Sequence, residues 1–166
     1  MLILFDVDAT LITTSKAGVH AMGRHGRSTY GDHFDEMRIE YAGRIDPLII
    51  RDLLLAHEIE PTDDAAEAFR LGYKQHLTEL LNPDGEPSPA QPCPGVPDLL
   101  DRLEDIPELT LGLLTGNCPD TGAVKRAAAG IDIELARPAQ ALEAVDERKE
   151  AGIPGDELSA IQRHAP

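Results

Sequence analysis

The sequence has little cysteine and no long apolar run. Only Cys93 and Cys118 occur among the 166 residues, without CxxC spacing, so neither a disulfide framework nor a structural zinc site is indicated. The six histidines form no HxH or HExxH group that would place two metal ligands on one face. The first apolar run, residues 1–5, ends at two aspartates and is too short for a signal peptide or a membrane-spanning helix. We therefore expect a cytoplasmic protein.

Positive charge is also scarce. The chain has 15 Lys and Arg against 30 Asp and Glu, which gives a net charge of −15. Such a charge repels nucleic acids and anionic membranes, so we expect neither as a partner. The same charge repels a phosphorylated ligand. A site for one must supply its own positive charge, from a metal ion, a basic side chain or backbone N–H groups.

Two short apolar segments indicate a parallel sheet. Leu2–Phe5 and Leu109–Leu114 are continuous apolar runs, typical of strands that are buried on both faces. Helical patterns follow each of them, and helix C-cap chemistry at Gly130 ends the helix that begins near Pro119. This order predicts an α/β fold, with ligands bound at the carboxyl ends of the strands.

The residues between the two strands predict a helical insert. Asp46 is the expected N-cap of one helix, with Pro47 in its first turn, and Thr62 is the expected N-cap of the next. No convincing strand lies between residues 14 and 85. The proline-rich stretch 82–97 predicts a linker without regular structure. We predict a core of residues 1–13 and 86–166, with residues 14–85 inserted as an all-helical cap.

Asp6 and Asp8 are the first candidates for chemistry. They are two positions apart at the end of the first strand, and such residues project to one side of an extended backbone. One carboxylate can act as a nucleophile while the other moves protons. Their mutual repulsion implies a shared proton or a divalent metal ion. A solvated turn that closes the strand is the alternative explanation of this pair.

The wider pattern resembles the haloacid dehalogenase-like (HAD) superfamily. LILFDVDATL is similar to its first motif, and LTLGLLTGN, which ends in Thr115, Gly116 and Asn117, is similar to its second. YAGRIDPLIIRDLL and CPGVPDLLDRL are similar to stretches in the phosphoglycolate phosphatase-like branch, in which a helical cap follows the first motif. The resemblance extends from residue 1 to about residue 135 and implies a Rossmann-like core with this cap.

The resemblance also implies a mechanism. Asp6 would be the nucleophile that forms an aspartyl-phosphate, and Asp8 would be the general acid and base. The Asp6 carboxylate and the Asp8 backbone carbonyl would be Mg²⁺ ligands. Thr115, Gly116 and Asn117 would bind the phosphoryl oxygens.

The sequence departs from the family pattern at position 9 and at the end of the chain. Ala9 stands where the family usually has glycine, and we expect a negative φ there. Arg137 stands in place of the usual lysine of the third motif and is the remaining predicted phosphate ligand. The acidic residue of the fourth motif should follow Ile161, but none does, and we interpret Asp156 as a turn residue. The expectation is a core shortened at its end, weak Mg²⁺ binding, and homodimerisation through an exposed sheet edge.

The predicted function is hydrolysis of a small phosphorylated metabolite, a phosphomonoester, with Mg²⁺. A degenerate module that binds a phosphorylated ligand or a partner without turnover is the main alternative. Dehalogenation fits less well because Asp8 is not what that branch carries, and phosphomutase chemistry uses the same acid pair. Arg44 of the cap is the candidate substrate ligand, and a solvated salt bridge within the cap is the competing explanation for it.

Overall fold

The computed structural model describes residues 1–131, which form two short two-stranded sheets and five α-helices. The strands are Leu2–Phe5 (β1), Ile12–Thr13 (β2), Gln91–Pro92 (β3) and Thr110–Leu113 (β4). The helices are Ala17–Tyr30 (α1), Asp46–Ala56 (α2), Asp63–Leu81 (α3), Val96–Glu104 (α4) and Pro119–Ala128 (α5), and a 3-10 turn covers Glu36–Arg38. Within these residues no helix is long and apolar enough to cross a membrane.

The two predicted apolar strands pair in parallel, as expected for an α/β fold. β1 and β4 are in register from Leu2 opposite Thr110 to Phe5 opposite Leu113. Helices α1 to α4 lie between these strands in sequence, which is the crossover connection that a parallel pair requires. The carboxyl ends of both strands therefore meet at one edge of the sheet.

A second, antiparallel sheet lies where the proline-rich linker was expected to be irregular. Ile12 is opposite Pro92, and the N–H of Cys93 donates to the carbonyl oxygen of Leu11 at 2.9 Å. The prediction of a linker without regular structure is wrong over these residues. Proline is tolerated because this ladder is only two residues long and Pro92 lies on an edge strand.

Residues 14–85 contain helices and turns and no strand, as predicted. The buried face of α3 carries Phe69, Tyr73, Leu77 and Leu81, at intervals of four residues. Thr62 caps this helix as expected, because its Oγ1 accepts a hydrogen bond from the N–H of Ala65 at 3.2 Å. The limits of core and cap remain a prediction.

Gly26 of α1 allows the ring of Phe34 to pack closely against this helix. A Cβ atom at Gly26 would lie 2.0 Å from the ring of Phe34, a side chain that is 1% exposed. The missing side chain therefore lets the loop after α1 place an aromatic ring in the core. Phe34 stacks there against His57, with ring centroids 4.1 Å apart.

The start of α2 differs from the prediction by one residue. Ile45 occupies the N-cap position and Asp46 is the first helical residue, with Pro47 after it. The Asp46 side chain caps nothing in its own helix, because its carboxylate accepts hydrogen bonds from Cys118 and Thr121 of the distant α5 region. Tertiary hydrogen bonds of the Asp46 side chain have thus replaced the helix-capping bond that was predicted.

Several sequence predictions lie outside the described residues. These are the phosphate-binding role of Arg137, the turn at Asp156 and the absence of a fourth-motif acid after Ile161.

Candidate active site

The carboxyl ends of β1 and β4 bring the predicted motif residues to one edge of the sheet. The N–H of Leu114 donates to the carbonyl oxygen of Phe5 at 2.9 Å, which extends the parallel pairing beyond the strands. Asp6 follows Phe5 directly, and Thr115 follows Leu114 directly. Both residues therefore leave adjacent strands at the edge where ligands bind in such sheets.

A cavity of about 730 Å³ opens at this edge, a size that holds a small molecule. Its polar lining comes partly from the segments that follow the two strands and partly from residues 14–85. The first group is Asp6, Asp8, Thr115, Gly116, Asn117 and Lys125, and the second includes Lys16, Tyr41, Arg44, Asp46 and Tyr73. The helical segment thus covers one side of the cavity.

A hydrogen-bonded network joins both motifs inside the cavity. The Nζ of Lys125 donates to the two carboxylate oxygens of Asp8 at 2.9 and 2.7 Å and to the Oδ1 of Asn117 at 2.5 Å. The Nδ2 of Asn117 donates to the Asp8 carboxylate at 2.7 Å and to the Oγ1 of Thr115 at 2.8 Å. One acid of the first motif is therefore held by two donors that follow β4.

Lys125 is the residue that sequence reasoning missed. Its side chain is 6% exposed, which is unusual for lysine and is explained by the ion pair with Asp8. The available signal is its spacing, since Cys118, Thr121, Gly122 and Lys125 form one face of α5 and all are buried. A lysine on a face of otherwise small residues leaves room for its amine to reach a neighbouring strand end.

Asp6 differs from Asp8 in its surroundings. Its carboxylate forms no hydrogen bond or ion pair with any residue in the range 1–131, and it is exposed to the cavity. Asp8, two positions later, has both oxygens engaged. The pair is therefore asymmetric, with one carboxylate open to a ligand and the other fixed.

The backbone of Ala9 is in the left-handed region, contrary to the prediction. Its φ is +59°, in the left-handed region, whereas a negative φ was predicted. The tight turn after Asp8 imposes this angle, because the Ala9 N–H donates to the carbonyl oxygen of Ile12 at 2.8 Å. A left-handed L-residue costs about 1–2 kcal/mol, so strain lies directly after Asp8, the candidate general acid and base.

Arg44 lines the cavity, but its guanidinium is already paired. Its Nη2 forms an ion pair with Asp52 of α2, and its Nη1 donates to the carbonyl oxygen of Glu40 at 3.4 Å. The salt bridge considered as the competing explanation is therefore present. Lys16 also lines the cavity and has no ion-pair partner among residues 1–131.

Asp46 joins the helical segment to the residues after β4. Its carboxylate accepts from the N–H of Cys118 at 3.0 Å and from the hydroxyl of Thr121 at 3.1 Å, and its own N–H donates to the Gly116 carbonyl oxygen at 2.7 Å. It is 7% exposed. Burial raises the pKa of the Asp46 carboxyl, although the Cys118 N–H and the nearby Lys125 oppose that shift.

Two further groups near Asp46 are kept neutral by burial. Burial, followed by the negative charges of Asp46 and Asp8, holds the pKa of the Tyr73 hydroxyl well above its ordinary value. Burial and Asp46 likewise raise the pKa of the Cys118 thiol to about 11. Tyr73 and Cys118 are therefore protonated near neutral pH, and the thiol is a poor nucleophile there.

The oxygen donors predicted for Mg²⁺ are compatible with that ion. Asp6 offers a free carboxylate at the cavity, and hard cations take oxygen ligands. Within residues 1–131 no three His, Cys, Asp or Glu side chains group as a metal site. A Mg²⁺ ion usually keeps several water ligands and needs only one or two carboxylates, so the donor set fits it.

Comparisons with known proteins identify the fold. Neither a family model nor a curated protein sequence matches the chain. Solved structures do: a hydrolase from Pseudomonas syringae aligns with a TM-score of 0.60 at 21% identity, over 82% of this chain and 61% of that one. A predicted phosphoglycolate phosphatase from Haemophilus somnus 129PT aligns with a TM-score of 0.55 at 19% identity, over 82% and 60%.

This chain thus spans about three fifths of the length of these two structures. At such low identity the likeness concerns the fold. That fold places a parallel strand pair and a helical segment around one cavity, as the resemblance of the two sequence motifs implied. The chain has a haloacid dehalogenase-like α/β fold.

Proposed function

We propose that this protein is a phosphatase that hydrolyses a small phosphomonoester through an aspartyl-phosphate at Asp6. The observation that carries the proposal is the asymmetric acid pair: Asp6 is open to the cavity, while Lys125 and Asn117 hold Asp8. A nucleophile needs a free carboxylate, and a proton carrier needs a fixed one. A structural turn at a strand end would require neither a buried lysine nor a cavity.

In the first step a carboxylate oxygen of Asp6 attacks phosphorus. The bond between phosphorus and the ester oxygen breaks. Asp8, which must be protonated at this stage and so no longer forms its ion pair with Lys125, gives its proton to the leaving alkoxide. Thr115 and the N–H of Gly116 bind the non-bridging phosphoryl oxygens. Lys125 neutralises their charge, which is the electrostatic stabilisation that phosphoryl transfer mainly needs.

In the second step Asp8, now ionised, takes a proton from a water molecule as that water attacks the phosphorus. The acyl phosphate bond breaks, inorganic phosphate leaves, and the Asp6 carboxylate is regenerated. The Asp6 carboxylate and the Asp8 backbone carbonyl would hold Mg²⁺, which when bound offsets the negative charge shared by the acids and the phosphoryl group.

The cavity supports a small substrate. Its volume of about 730 Å³ accommodates a phosphate and a short leaving group. Lys16, which has no ion-pair partner among residues 1–131, brings positive charge from the helical segment in a chain with a net charge of −15. The neighbour from Haemophilus somnus 129PT is described as a predicted phosphoglycolate phosphatase, which agrees with this substrate class.

Turnover of a panel of phosphomonoesters, with and without Mg²⁺, tests the proposal. The matched variants are Asp6→Asn and Asp101→Asn, since Asp101 is exposed on α4 and lies outside the cavity. We expect the first to lower kcat more than about a thousandfold and the second to leave it unchanged, because an amide is a poor nucleophile. Rapid-quench mass spectrometry should detect a phosphate adduct on Asp6 of the unmodified protein.

Two results would contradict parts of the proposal. Activity of Asp6→Asn close to that of the unmodified protein would remove Asp6 from the role of nucleophile. Binding of inorganic phosphate without turnover of any ester would instead support the alternative of a module that binds a phosphorylated ligand.

A further inference from the structure

The loop before α2 is seated on the turn that follows β4. A Cβ atom at Gly116 would lie 2.7 Å from the carbonyl oxygen of Arg44, so the two backbones touch where only glycine fits. Asp46, which follows this contact, is buried against the same turn. We call residues 115–118 the Thr115 turn. Residues 44–46, the end of the loop and the first residue of α2, are called the cap loop.

Asp46 holds the two peptide groups that flank Asn117. Its N–H donates to the carbonyl oxygen of Gly116, the peptide before Asn117, at 2.7 Å. Its carboxylate accepts from the N–H of Cys118, the peptide after Asn117, at 3.0 Å. Since the backbone dihedral angles of Asn117 are defined by these two peptides, one residue of the cap loop fixes its backbone.

The backbone of Asn117 sets the position and the available rotamers from which its side chain reaches its partners. That side chain contacts Thr115, Asp8 and Lys125, at distances of 2.5 to 2.8 Å. A turn released from Asp46 would gain two free dihedral angles and would lose this geometry for part of the time. The contacts of Asp46 therefore connect the cap loop to three groups of the cavity through Asn117.

We propose that Asp46 is a positioning residue that aligns Asn117, and through it Thr115 and Lys125, for phosphate only when the cap loop is seated on the Thr115 turn. This proposal rests on the proposed function for the identity of the ligand, and on the contacts alone for the coupling. Asp46 itself touches no reacting atom. It makes phosphate binding depend on contact between the helical segment and the core.

A second contact between the same parts of the chain serves as the control. Arg70 of α3 forms an ion pair with Asp120 of α5, and Lys74 lies 3.6 Å from the same carboxylate. None of these three residues lines the cavity. Arg70→Met therefore removes a helix-to-core contact without changing the sequence or the hydrogen bonds of the Thr115 turn.

Amide hydrogen exchange tests the coupling without any need for turnover. In Asp46→Ala we expect the peptide covering residues 114–121 to exchange at least about tenfold faster than in the unmodified protein, because the Cys118 N–H loses a charged acceptor. Arg70→Met should change this peptide less than about twofold. Asp46→Asn, whose amide oxygen can still accept from Cys118, should retain most of the protection.

Binding of inorganic phosphate, measured by calorimetry, tests the consequence for the ligand. We expect its Kd to rise about tenfold in Asp46→Ala, with Asp46→Asn and Arg70→Met close to the unmodified protein. Unchanged exchange in Asp46→Ala, or equal exchange in Arg70→Met, would overturn the coupling. Faster exchange with an unchanged phosphate Kd would overturn the positioning role, whereas no phosphate binding by the unmodified protein would count against the proposed function itself.

Discussion

Replacing Ala9 by glycine should make the protein more stable, although glycine usually destabilises. Ala9, which follows Asp8 directly, has a φ of +59° and is held there by its hydrogen bond to Ile12. The Cβ atom of an L-residue clashes in this region, and glycine has no Cβ. Ala9→Gly removes the clash and leaves the hydrogen bond in place.

Two opposing terms give the magnitude. Relief of left-handed strain contributes about 1–2 kcal/mol. The greater freedom of glycine in the unfolded chain costs about 0.4–1 kcal/mol. We therefore expect the free energy of unfolding to rise by about 1 kcal/mol, which corresponds to about 3 °C in Tm for a chain of this length.

Urea and thermal unfolding of two glycine variants measure this effect. The control is Ala68→Gly, an exposed site inside α3, where the same substitution should lower the stability by about 1 kcal/mol. Opposite signs at the two sites are the expected result. A loss of stability in Ala9→Gly similar to that in Ala68→Gly would refute the argument from strain.

The remaining predictions concern charge at the cavity. Lys125→Met should lower kcat/KM for a phosphomonoester at least about a hundredfold, because it removes the buried cation beside Asp8, whereas Lys74→Met, outside the cavity, should have little effect. A small effect of Lys125→Met on kcat/KM would exclude Lys125 from the phosphate site. Asp46 should make the folded state less stable as the pH rises from its ordinary value of 3.8 through its raised pKa, because the folded protein retains the proton longer than the unfolded chain. The stability of the unmodified protein minus that of Asp46→Asn, measured in urea between about pH 4 and about pH 7, should therefore fall with pH, and a rise would contradict the assignment.

The parts of the fold that depend on neighbouring residues could be predicted from the sequence. The two apolar runs became β1 and β4, and Thr62 caps α3 as its position before a helical pattern indicated. The spacing of Asp6 and Asp8 at a strand end also led to the cavity. In each case the interactions that form the element lie within it, or between two strands that the apolar pattern already identifies.

The sequence did not predict the contacts that residues make with partners far away in the chain. Asp46 is a residue type that often caps a helix, but its carboxylate accepts hydrogen bonds from Cys118 and Thr121 instead. From the sequence alone, Lys125 is expected to be a solvated lysine of α5. In the folded protein it is buried in an ion pair with Asp8. A local pattern such as the spacing of Lys125 on its helix can mark an unusual residue, but it does not identify the distant partner, since the free energy of the pair arises only after the elements have packed.

The prediction of a negative φ at Ala9 was wrong for a different reason. Steric preference alone predicts a negative φ for alanine, but the local hydrogen bond to Ile12 and the tight turn outweigh that preference. A preference of 1–2 kcal/mol is small compared with the interactions that fix a strand end, and such conflicts are concentrated at functional sites.

The ion pair of Asp8 and Lys125 also has a consequence for biosynthesis. The two residues are 117 positions apart. At about 5–20 residues per second, a ribosome needs roughly 6 to 23 seconds to make the second after the first. During that interval Asp8 and β1 leave the ribosome before β4 and Lys125 exist, while the intervening helices can already form from local contacts. The first residues of the site to be synthesised are therefore among the last to acquire their partners.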